Sequence, residues 1–544
     1  MTLFTATRII FTGLVVLPAL STDPLHWPSR LVLESGMMGS NLPTEEDSLL
    51  PHAQADTITS SHIHGQSSRS HIYLNGGRNP MMVPAHPLDV KPLGNAFTTD
   101  ENIKTAAGSF ALLPDELITQ VMEWLNPSGL LQLGSTCKAL YAFSRQEDLW
   151  KMLYLGSAPS KIKWQGSWLS TYLGVSTGQL LRVSCKNLFS DTLHQPFLCA
   201  HTSLEPYTHN IPSANAIARL SNLNAEDFVN KWADEPFILT DPVRQWPVYR
   251  QWSSDLLLEK YGEIAFRAEA VDWPLKVYVD YMRNNSDESP LYLFDRSFVE
   301  KMDLQVGKHD GDHYWSPDCF GEDLFDVFES QRPDRRWLIV GPERSGSTFH
   351  KDPNATSAWN AVLSGSKYWI MFPSNPSNPP PPGVYVSEDQ SEVTSPLSIA
   401  EWLIGFHGEA CKTRGCREGI CNEGEVLHVP SGWWHLVVNL SPSIAITQNF
   451  VPKAHLANAL AFLKNKPDQV SGFKNEVKDP YGLFVAKLQE KHPELLQKGL
   501  ADLESLGEGR KRKWEELTGP NGDDGAGGRP FSFGFGDGDD EDVP

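Results

Sequence analysis

The strongest constraint on the fold is a central block, from about Leu204 to Pro452, in which short β-forming runs alternate with turns. Helical patterns interrupt it near Ala225–Trp232, Ser254–Tyr261 and Lys276–Met282. Many short strands within one block of roughly 250 residues favour a barrel or a sandwich. The clearest β-forming runs are Pro236–Leu239, Leu291–Phe294, Trp337–Val340, Tyr368–Phe372, Val426–Val429 and Ile444–Thr447.

Helical patterns flank this block. Before it, Leu112–Leu117 opens a helix with Pro114 near its first position, and acidic residues occupy the first turn, where the helix dipole favours them. Further short amphipathic helices follow. After the block, Ala454–Leu463 and Pro480–Leu488 have helical spacing, and the pattern ends near Leu506. We therefore expect a mixed α+β protein.

The composition changes toward both ends. The N-terminal region is rich in Ser, His, Pro, Asn and Gly without a sustained period, and the C-terminal tail is acidic and rich in Gly. The predicted segments are a disordered leader over 1–105, a helical unit over 106–160, a β-rich domain with its N-terminal extension over 200–453, C-terminal helices over 454–507, and a basic cluster with an acidic disordered tail over 508–544.

The charge balance limits the kinds of partner. With 67 acidic and 46 basic residues, the net charge is −21. Such a charge disfavours general binding to nucleic acid through phosphate neutralisation, and it suits a basic protein partner better. We expect a protein substrate and no direct contact with nucleic acid.

Two features point to different compartments. Seven cysteines, an odd number scattered along the chain, are typical of a reducing compartment. Yet Arg8, the apolar run Ile9–Leu20 and Ser21 have the layout of a signal peptide, unless this is a disordered leader or a mispredicted first exon. No run approaches about 18 apolar residues, so no membrane span is expected. We predict the nucleus or the cytoplasm over a secretory route, with Arg510–Lys513 as either an import signal or a solvated charge run.

A candidate metal site combines His350, Asp352 and His435. In a strand, residues i and i+2 point to the same face, so His350 and Asp352 can bind one ion while Lys351 points away. His435 lies 83 residues after Asp352, in another strand-like run. Two histidines and one carboxylate leave three coordination positions open, which suits a non-haem iron(II) oxygenase. A His-x-Asp pair alone is a weak signal, because most such histidines are simply hydrogen-bonded.

Six motifs surround these residues, namely Ser289–Asp295, Gly341–Gly346, Thr356–Ala361, Gly365–Trp369, Val429–His435 and Ile446–Phe450. Together they resemble the jumonji-C family, especially its phosphatidylserine-receptor-like branch. The resemblance implies a double-stranded β-helix, which is a jelly-roll or cupin barrel. It also implies a dioxygenase that uses iron(II), 2-oxoglutarate and O2. Such enzymes convert 2-oxoglutarate to succinate while they hydroxylate a C–H bond or remove an N-methyl group as formaldehyde.

The resemblance assigns the metal to His350, Asp352 and His435. 2-Oxoglutarate is a dianion, and its far carboxylate needs a cation and a hydroxyl inside an apolar barrel. Lys367 would supply the cation. Thr447 would supply the hydroxyl, because a Ser-Pro-Ser turn folds its strand back beside the strand bearing His435.

Three further residues are expected near the co-substrate. Asn360 and Tyr292 would add hydrogen bonds, and Ser347 stands where the family often has Thr, so it keeps the hydroxyl without the methyl group. The alternative for Asn360 and Thr447 is ordinary hydrogen bonding between strands. The alternative for Lys367 is a strand residue that reaches solvent.

The helical unit over 106–160 has an ordered set of apolar positions. Leu-Pro-Asp-Glu-Leu at 113–117 is followed by Leu125, Leu133–Cys137 and Leu149-Trp150. This order resembles the F-box, whose first helices bury apolar residues on the Skp adaptor of cullin ubiquitin ligases. The alternative is a plain three-helix cap that binds nothing. The oligomeric state is left open, with a dimer through the C-terminal helices as one option.

Three cysteines, Cys411, Cys416 and Cys421, recur at five-residue intervals with His407 nearby. They could hold zinc. Their spacing departs from the usual Cys-x-x-Cys pairs, so packing in a loop is the favoured interpretation.

Two functions are compatible with this sequence. The first is an active oxygenase that hydroxylates or demethylates an arginine or lysine side chain, for instance on a histone, with the F-box attaching it to other machinery. The second is a non-catalytic substrate receptor of a cullin ubiquitin ligase. The three presumed ligands and the presumed co-substrate lysine are all present, which favours the first.

Overall fold

The computed structural model describes residues 83–157, 162–374, 378–388, 390–396 and 398–518, with the backbone alone for 506–518. The signal-like run and the acidic tail lie outside the described residues. The strands are β1 Ala218–Leu220, β2 Phe237–Leu239, β3 Ala265–Ala268, β4 Val271–Pro274, β5 Leu293–Asp295, β6 Arg336–Gly341, β7 Gly346–His350, β8 Ser357–Ser364, β9 Ser366–Phe372, β10 Tyr385–Val386, β11 Val393–Thr394, β12 Arg417–Asn422, β13 Val426–Val429, β14 Trp434–Asn439 and β15 Ser443–Phe450.

Helices cover the two ends of the described chain and connect the strands. The α-helices are α1 Asp115–Glu123, α2 Pro127–Gly134, α3 Lys138–Phe143, α4 Glu147–Ser157, α5 Trp168–Leu173, α6 Asp191–His201, α7 Glu205–Thr208, α8 Ala225–Asp227, α9 Pro247–Gln251, α10 Ser254–Tyr261, α11 Leu275–Arg283, α12 Phe298–Lys301, α13 Ile399–Ala410, α14 Leu456–Asn465, α15 Pro480–Lys491 and α16 Pro493–Thr518. A π-helical turn covers Phe228–Trp232. The 3-10 helices are Leu93–Thr98, Ile103–Leu112, Thr177–Gln179, Pro242–Gln245, Asp318–Phe320, Leu324–Gln331, Pro353–Ala355, Lys453–His455 and Pro467–Gln469.

Two sheets form the centre of the molecule. The large sheet has nine strands in the order β1-β2-β13-β8-β15-β6-β5-β3-β4, and the small sheet has four in the order β12-β9-β14-β7. Side chains of both sheets pack into one apolar cluster, with Ala358 and Val362 from the large sheet against Trp369, Met371 and Val437 from the small one. The two sheets therefore form the facing walls of the double-stranded β-helix, which confirms the predicted fold class.

The chain crosses between the sheets at Gly365, the single residue between β8 and β9. Its backbone has a φ of +84°, in the left-handed region that favours glycine. A Cβ atom there would lie 2.4 Å from the carbonyl oxygen of Pro442. Glycine is therefore required for the turn that brings Lys367, two residues later, into the small sheet.

Helical layers cover the outside of both sheets. The N-terminal helices share one core with the outer face of the large sheet, α13 packs on the outer face of the small sheet, and α14 to α16 pack against the helix Leu324–Gln331. Within the described part of the chain, every helix is too short or too polar to cross a bilayer.

Two boundaries differ from those expected. Residues 83–105 were placed in the leader, yet Val83 and Val90 are buried and the amide of Lys91 donates to the carbonyl of Leu188. Apolar residues spaced too far apart to show a period still find a core here. At the other end, α16 continues past Leu506 to Thr518 and so includes the basic cluster.

Candidate active site

The three predicted metal ligands come together between β7 and β14. These strands are antiparallel, and His350 and His435 are register partners whose ring centroids lie 4.1 Å apart. Asp352 follows the end of β7. One ligand atom from each of the three side chains lies within 4.8 Å of the others. This is an arrangement that can hold one metal ion.

Local hydrogen bonds orient both imidazoles. Nδ1 of His350 lies 2.8 Å from the carbonyl oxygen of Thr348, and Nδ1 of His435 lies 3.1 Å from that of Trp433. A proton on each Nδ1 leaves each Nε2 with a free lone pair, which is the form that binds a metal. Burial also lowers the pKa of both histidines to about 4, so both are neutral at pH 7.

Asp352 has the environment of a metal ligand. Burial raises the pKa of its carboxyl to about 6. Among the described residues, its buried Oδ2 atom finds no hydrogen-bond partner. Since a buried acceptor normally has a partner, this oxygen beside two neutral imidazoles fits a divalent metal such as iron(II).

The loop after Asp352 is held by the C-terminal region. Asn354 and Ala355 have φ values of +55° and +53°. The Asn354 amide donates to the carbonyl of Ser471 over 2.9 Å and accepts from its backbone N–H over 3.1 Å. The hydroxyl of Ser431 donates to the carbonyl of Ala355 over 2.6 Å. These contacts fix the turn that aims Asp352 at the two histidines.

Lys367 lies on the inner face of β9 with none of its surface exposed. Its Nζ donates to Tyr292 Oη and to Asn439 Oδ1, both at 2.7 Å, and to Ser443 Oγ at 3.1 Å. These three partners are neutral. Burial lowers the pKa of Lys367 to about 7. A protonated amine with only neutral partners keeps an uncompensated charge that can attract a carboxylate. Tyr292, which was expected to bond to the co-substrate, is here a partner of Lys367.

The inner face of the large sheet carries two more of the predicted residues. Asn360 on β8 and Thr447 on β15 are register partners. The Thr447 hydroxyl donates to the carbonyl of Trp359 over 2.9 Å, whereas Asn360 Oδ1 is buried and has no partner among the described residues. Asn360 therefore has an unused acceptor facing the cavity, and Thr447 keeps only its lone pairs for a ligand.

One sequence-based expectation about this strand was wrong. β15 does not lie beside β14, which bears His435. It pairs with β6 and β8 in the large sheet, whereas β14 pairs with β7 and β9 in the small sheet. The Ser-Pro-Ser turn crosses from one sheet to the other, so Thr447 faces the metal site from the opposite wall. Ser347 is on the small sheet, paired with Val437 after a bulge.

Two residues of the lysine cluster were missed by sequence reasoning. Asn439 and Ser443 both accept a hydrogen bond from Lys367, and Asn439 also donates to Ser345 Oγ over 2.9 Å. The antiparallel register of β9 and β14 pairs His435 with Met371 and therefore Asn439 with Lys367. The sequence signal that could have pointed to Asn439 is its spacing of four residues from His435, which places both side chains on one face of a strand.

Three exposed apolar residues of the helical unit form a stripe along α1. Leu117 and Val121 are exposed one turn apart, and Trp124, one further turn along at the end of the helix, has 90% of its surface exposed. Ile118 and Met122 on the other face are fully buried. The helix thus packs on the body through one face and leaves an apolar stripe in solvent.

Comparison with known proteins agrees with this geometry. Residues 223–455 match the Cupin-like domain family, and residues 110–156 match the F-box-like family. The chain is 36% identical over 456 residues to arginine-specific demethylase JMJ22 of Arabidopsis thaliana, covering 81% of this chain and 88% of that protein. It is 32% identical over 312 residues to the bifunctional arginine demethylase and lysyl-hydroxylase psr-1 of Caenorhabditis elegans, covering 53% and 71%. It is 29% identical over 220 residues to the 2-oxoglutarate and iron-dependent oxygenase JMJD4 of Danio rerio, covering 38% and 47%.

Proposed function

Because the chain belongs to the jumonji-C family of iron(II)- and 2-oxoglutarate-dependent oxygenases, in its phosphatidylserine-receptor-like branch, we propose that it demethylates methylated arginine side chains of a protein substrate. The observation that carries the oxygenase chemistry is the unpartnered Asp352 Oδ2 beside two neutral imidazoles. The choice of arginine rests on JMJ22, a relative that covers 81% of the chain and is named an arginine-specific demethylase.

Different residues of the barrel would bind the metal, bind the co-substrate and exclude water. His350, Asp352 and His435 would hold the iron, which with 2-oxoglutarate and O2 would supply the oxidation of a C–H bond. Lys367 would bind the far carboxylate of 2-oxoglutarate, and Tyr292 would orient the lysine. The apolar inner wall, which includes Trp369 and Val437, excludes water from the reacting atoms. Once an N-methyl carbon is hydroxylated, it leaves as formaldehyde.

An aromatic pair supports a cationic substrate. Phe294 and Trp337 stack with ring centroids 5.3 Å apart. Trp337 is the register partner of Thr447, so both rings belong to the inner face of the large sheet. Phe294 nevertheless has 40% of its surface exposed, which puts the pair at an opening of the barrel. The face of such a ring attracts a guanidinium group, and the net charge of −21 favours a basic protein.

The test of this function uses the full chain with iron(II), 2-oxoglutarate and matched peptides that carry methyl-arginine, methyl-lysine or unmodified lysine. We expect succinate and formaldehyde, with a loss of about 14 daltons from the methyl-arginine peptide. His350→Ala should be inactive, and Lys351→Ala, which changes a residue outside the metal site, should be active. A gain of about 16 daltons on the unmodified lysine peptide alone would show that the enzyme hydroxylates lysine and does not demethylate arginine. Wild-type turnover no greater than that of His350→Ala would leave only the substrate-receptor function.

We also propose that the F-box binds the Skp adaptor of a cullin ubiquitin ligase through the stripe formed by Leu117, Val121 and Trp124. A helical unit that only packs on its own chain would bury its Trp. A contiguous exposed apolar stripe is instead typical of a surface that binds another protein. Trp124→Ala should abolish retention of the full chain by the adaptor. Because the Trp124 side chain is exposed, the thermal stability of the variant should equal that of the wild type. Met152→Ala, which truncates an exposed apolar residue on α4, is the matched control and should be retained. Retention of Trp124→Ala at the wild-type level would refute this docking surface.

A nuclear location is the third proposal. It rests on the basic cluster Arg510–Lys513, which has the composition of a nuclear import signal. A fluorescent fusion of the full chain should concentrate in the nucleus, and replacing the four basic residues with Ala should reduce this. Fluorescence confined to the cytoplasm or the secretory route would contradict the proposal.

A further inference from the structure

A second cluster of metal-binding side chains lies on the outer face of the small sheet. His407 is in the last turn of α13, Cys411 follows one turn later, Cys416 ends the connecting loop, and Glu418 is on β12. Glu418, Cys416 and His407 are buried, and Cys411 is partly exposed. Three of these side chains, His407, Cys411 and Glu418, form one group, and Cys416 lies beside Glu418. Cys421, the third cysteine of the series, belongs to the apolar cluster inside the barrel.

The distances among three of these donors fit one metal ion, and a fourth donor lies close by. His407 Nε2 lies 3.4 Å from Cys411 Sγ and 3.4 Å from Glu418 Oε2. Cys416 Sγ lies 3.9 Å from the other carboxylate oxygen, Oε1. Ligands bound tetrahedrally to zinc at about 2.0 to 2.3 Å are about 3.3 to 3.8 Å apart. The donors of His407, Cys411 and Glu418 all lie within 4.8 Å of one another, so one ion can contact all three.

Hydrogen bonds orient the Glu418 carboxylate, which is buried. Tyr368 Oη donates to Oε2 over 2.8 Å and Asn215 donates to Oε1 over 2.9 Å. Such neutral donors around a ligand carboxylate orient it without neutralising its charge.

We propose that His407, Cys411 and Glu418 bind a structural zinc ion, separate from the iron site, and that the neighbouring Cys416 completes the ligand set. Two thiolates, one imidazole and one carboxylate are a ligand set for zinc, and binding releases one proton from each thiol. The ion would fasten α13 to β12, and the hydroxyl of Tyr368, which donates to Glu418, would link this site to β9. Tyr368, which faces this site, is the neighbour of Lys367, which faces the barrel cavity. The zinc site therefore braces the strand that carries the co-substrate lysine from its outer side.

Cobalt(II) distinguishes this site from the iron site, because only this one has sulfur ligands. The full chain, stripped of metal and reloaded with Co(II), should show a thiolate-to-cobalt charge-transfer band in the near ultraviolet. The band should weaken in Cys411→Ser and disappear in the double variant Cys411→Ser/Cys416→Ser. Cys185→Ser, which changes a buried cysteine of the N-terminal region, should leave it unchanged. No band in the wild type, or an undiminished band in the double variant, would contradict the zinc site. The four side chains would then form only a hydrogen-bonded network.

A measurement on the unmutated ligands covers the case in which these variants do not fold. X-ray absorption of the zinc-loaded His350→Ala variant, in which the iron site is disabled, should give one zinc per chain with a sulfur shell at about 2.3 Å. A zinc spectrum without sulfur, or no zinc retained by this variant, would overturn the proposal. Neither result depends on demethylase activity.

Discussion

Lys367 donates a hydrogen bond over 2.7 Å to its own register partner on the neighbouring strand, Asn439. Asn439 in turn donates to Ser345 Oγ and to the carbonyl of Pro342, in the turn between β6 and β7. The lysine is thus tied to the turn that leads into the strand bearing His350. One set of contacts within the small sheet therefore fixes both Lys367, the proposed co-substrate cation, and the strand that bears the proposed metal ligand His350.

Asn439→Asp tests this link with almost no change of shape. The carboxylate would pair with Lys367 and compete with 2-oxoglutarate, so we expect the KM for 2-oxoglutarate to rise at least about tenfold, equivalent to about 1.4 kcal/mol. Succinate formation measured over a range of 2-oxoglutarate concentrations gives this value. Asn465→Asp, an exposed residue at the end of α14, makes the same chemical change as a control. An unchanged KM in Asn439→Asp would mean that the co-substrate does not reach Lys367.

The affinity for 2-oxoglutarate should depend on pH through Lys367. Burial lowers the pKa of its amine to about 7, so the free protein loses this charge as the pH rises above 7. The dianion binds the charged form, so binding above pH 7 takes up a proton and weakens by up to about tenfold per pH unit. Below pH 7 the amine is already charged and this dependence ends. Calorimetry in buffers of different ionisation enthalpy measures the proton uptake.

Lys367→Arg is the control for that prediction. A guanidinium stays protonated over this range, so the variant should bind 2-oxoglutarate more weakly but without the dependence on pH above 7. The same pH dependence in both proteins would assign it to another group.

The contact between Asn354 and Ser471 should stabilise the loop that carries Asp352. Asn354→Gly keeps the left-handed backbone but removes both hydrogen bonds, and we expect the free energy of unfolding to fall by about 1 to 3 kcal/mol. Asn354→Ala adds the strain of a Cβ atom at a φ of +55°, which costs about 1 to 2 kcal/mol more. Urea denaturation measures both, and a calorimetric titration with iron(II) should show weaker binding in each. If Ala proves as stable as Asn, the contact does not hold this loop.

Phe294 should contribute to substrate binding rather than to turnover of the co-substrate. Phe294→Leu keeps an apolar side chain but removes the ring that stacks on Trp337, and cation–π contacts are worth about 0.5 to 2 kcal/mol. We therefore expect the KM for a methyl-arginine peptide to rise about twofold to thirtyfold, with the KM for 2-oxoglutarate unchanged. Tyr385→Leu removes an exposed aromatic ring from the β10-β11 hairpin and should change neither value. An equal effect on both substrates would indicate a packing role.

Local pattern identified the two candidate ligands that are close in sequence. His350 and Asp352 are two residues apart, and alternation along a strand brings them to one face whatever the rest of the fold does. That cause acts over a few residues, but the pair alone was a weak signal. The resemblance to the jumonji-C family singled it out and also indicated Lys367, which as a lone lysine in a strand could equally have reached solvent.

Only the tertiary structure decided which distant residues meet. The register that pairs His350 with His435 and Lys367 with Asn439 is set by how two whole sheets pack, since a shift of one residue would turn every inner side chain outward. The crossing of β15 to the large sheet, which moved Thr447 to the opposite wall, has the same cause. So does the meeting of Cys411 with Glu418, which spacing along the chain did not reveal. The sequence by itself determined the kinds of side chain available for chemistry, and the packing of the two sheets determined their neighbours.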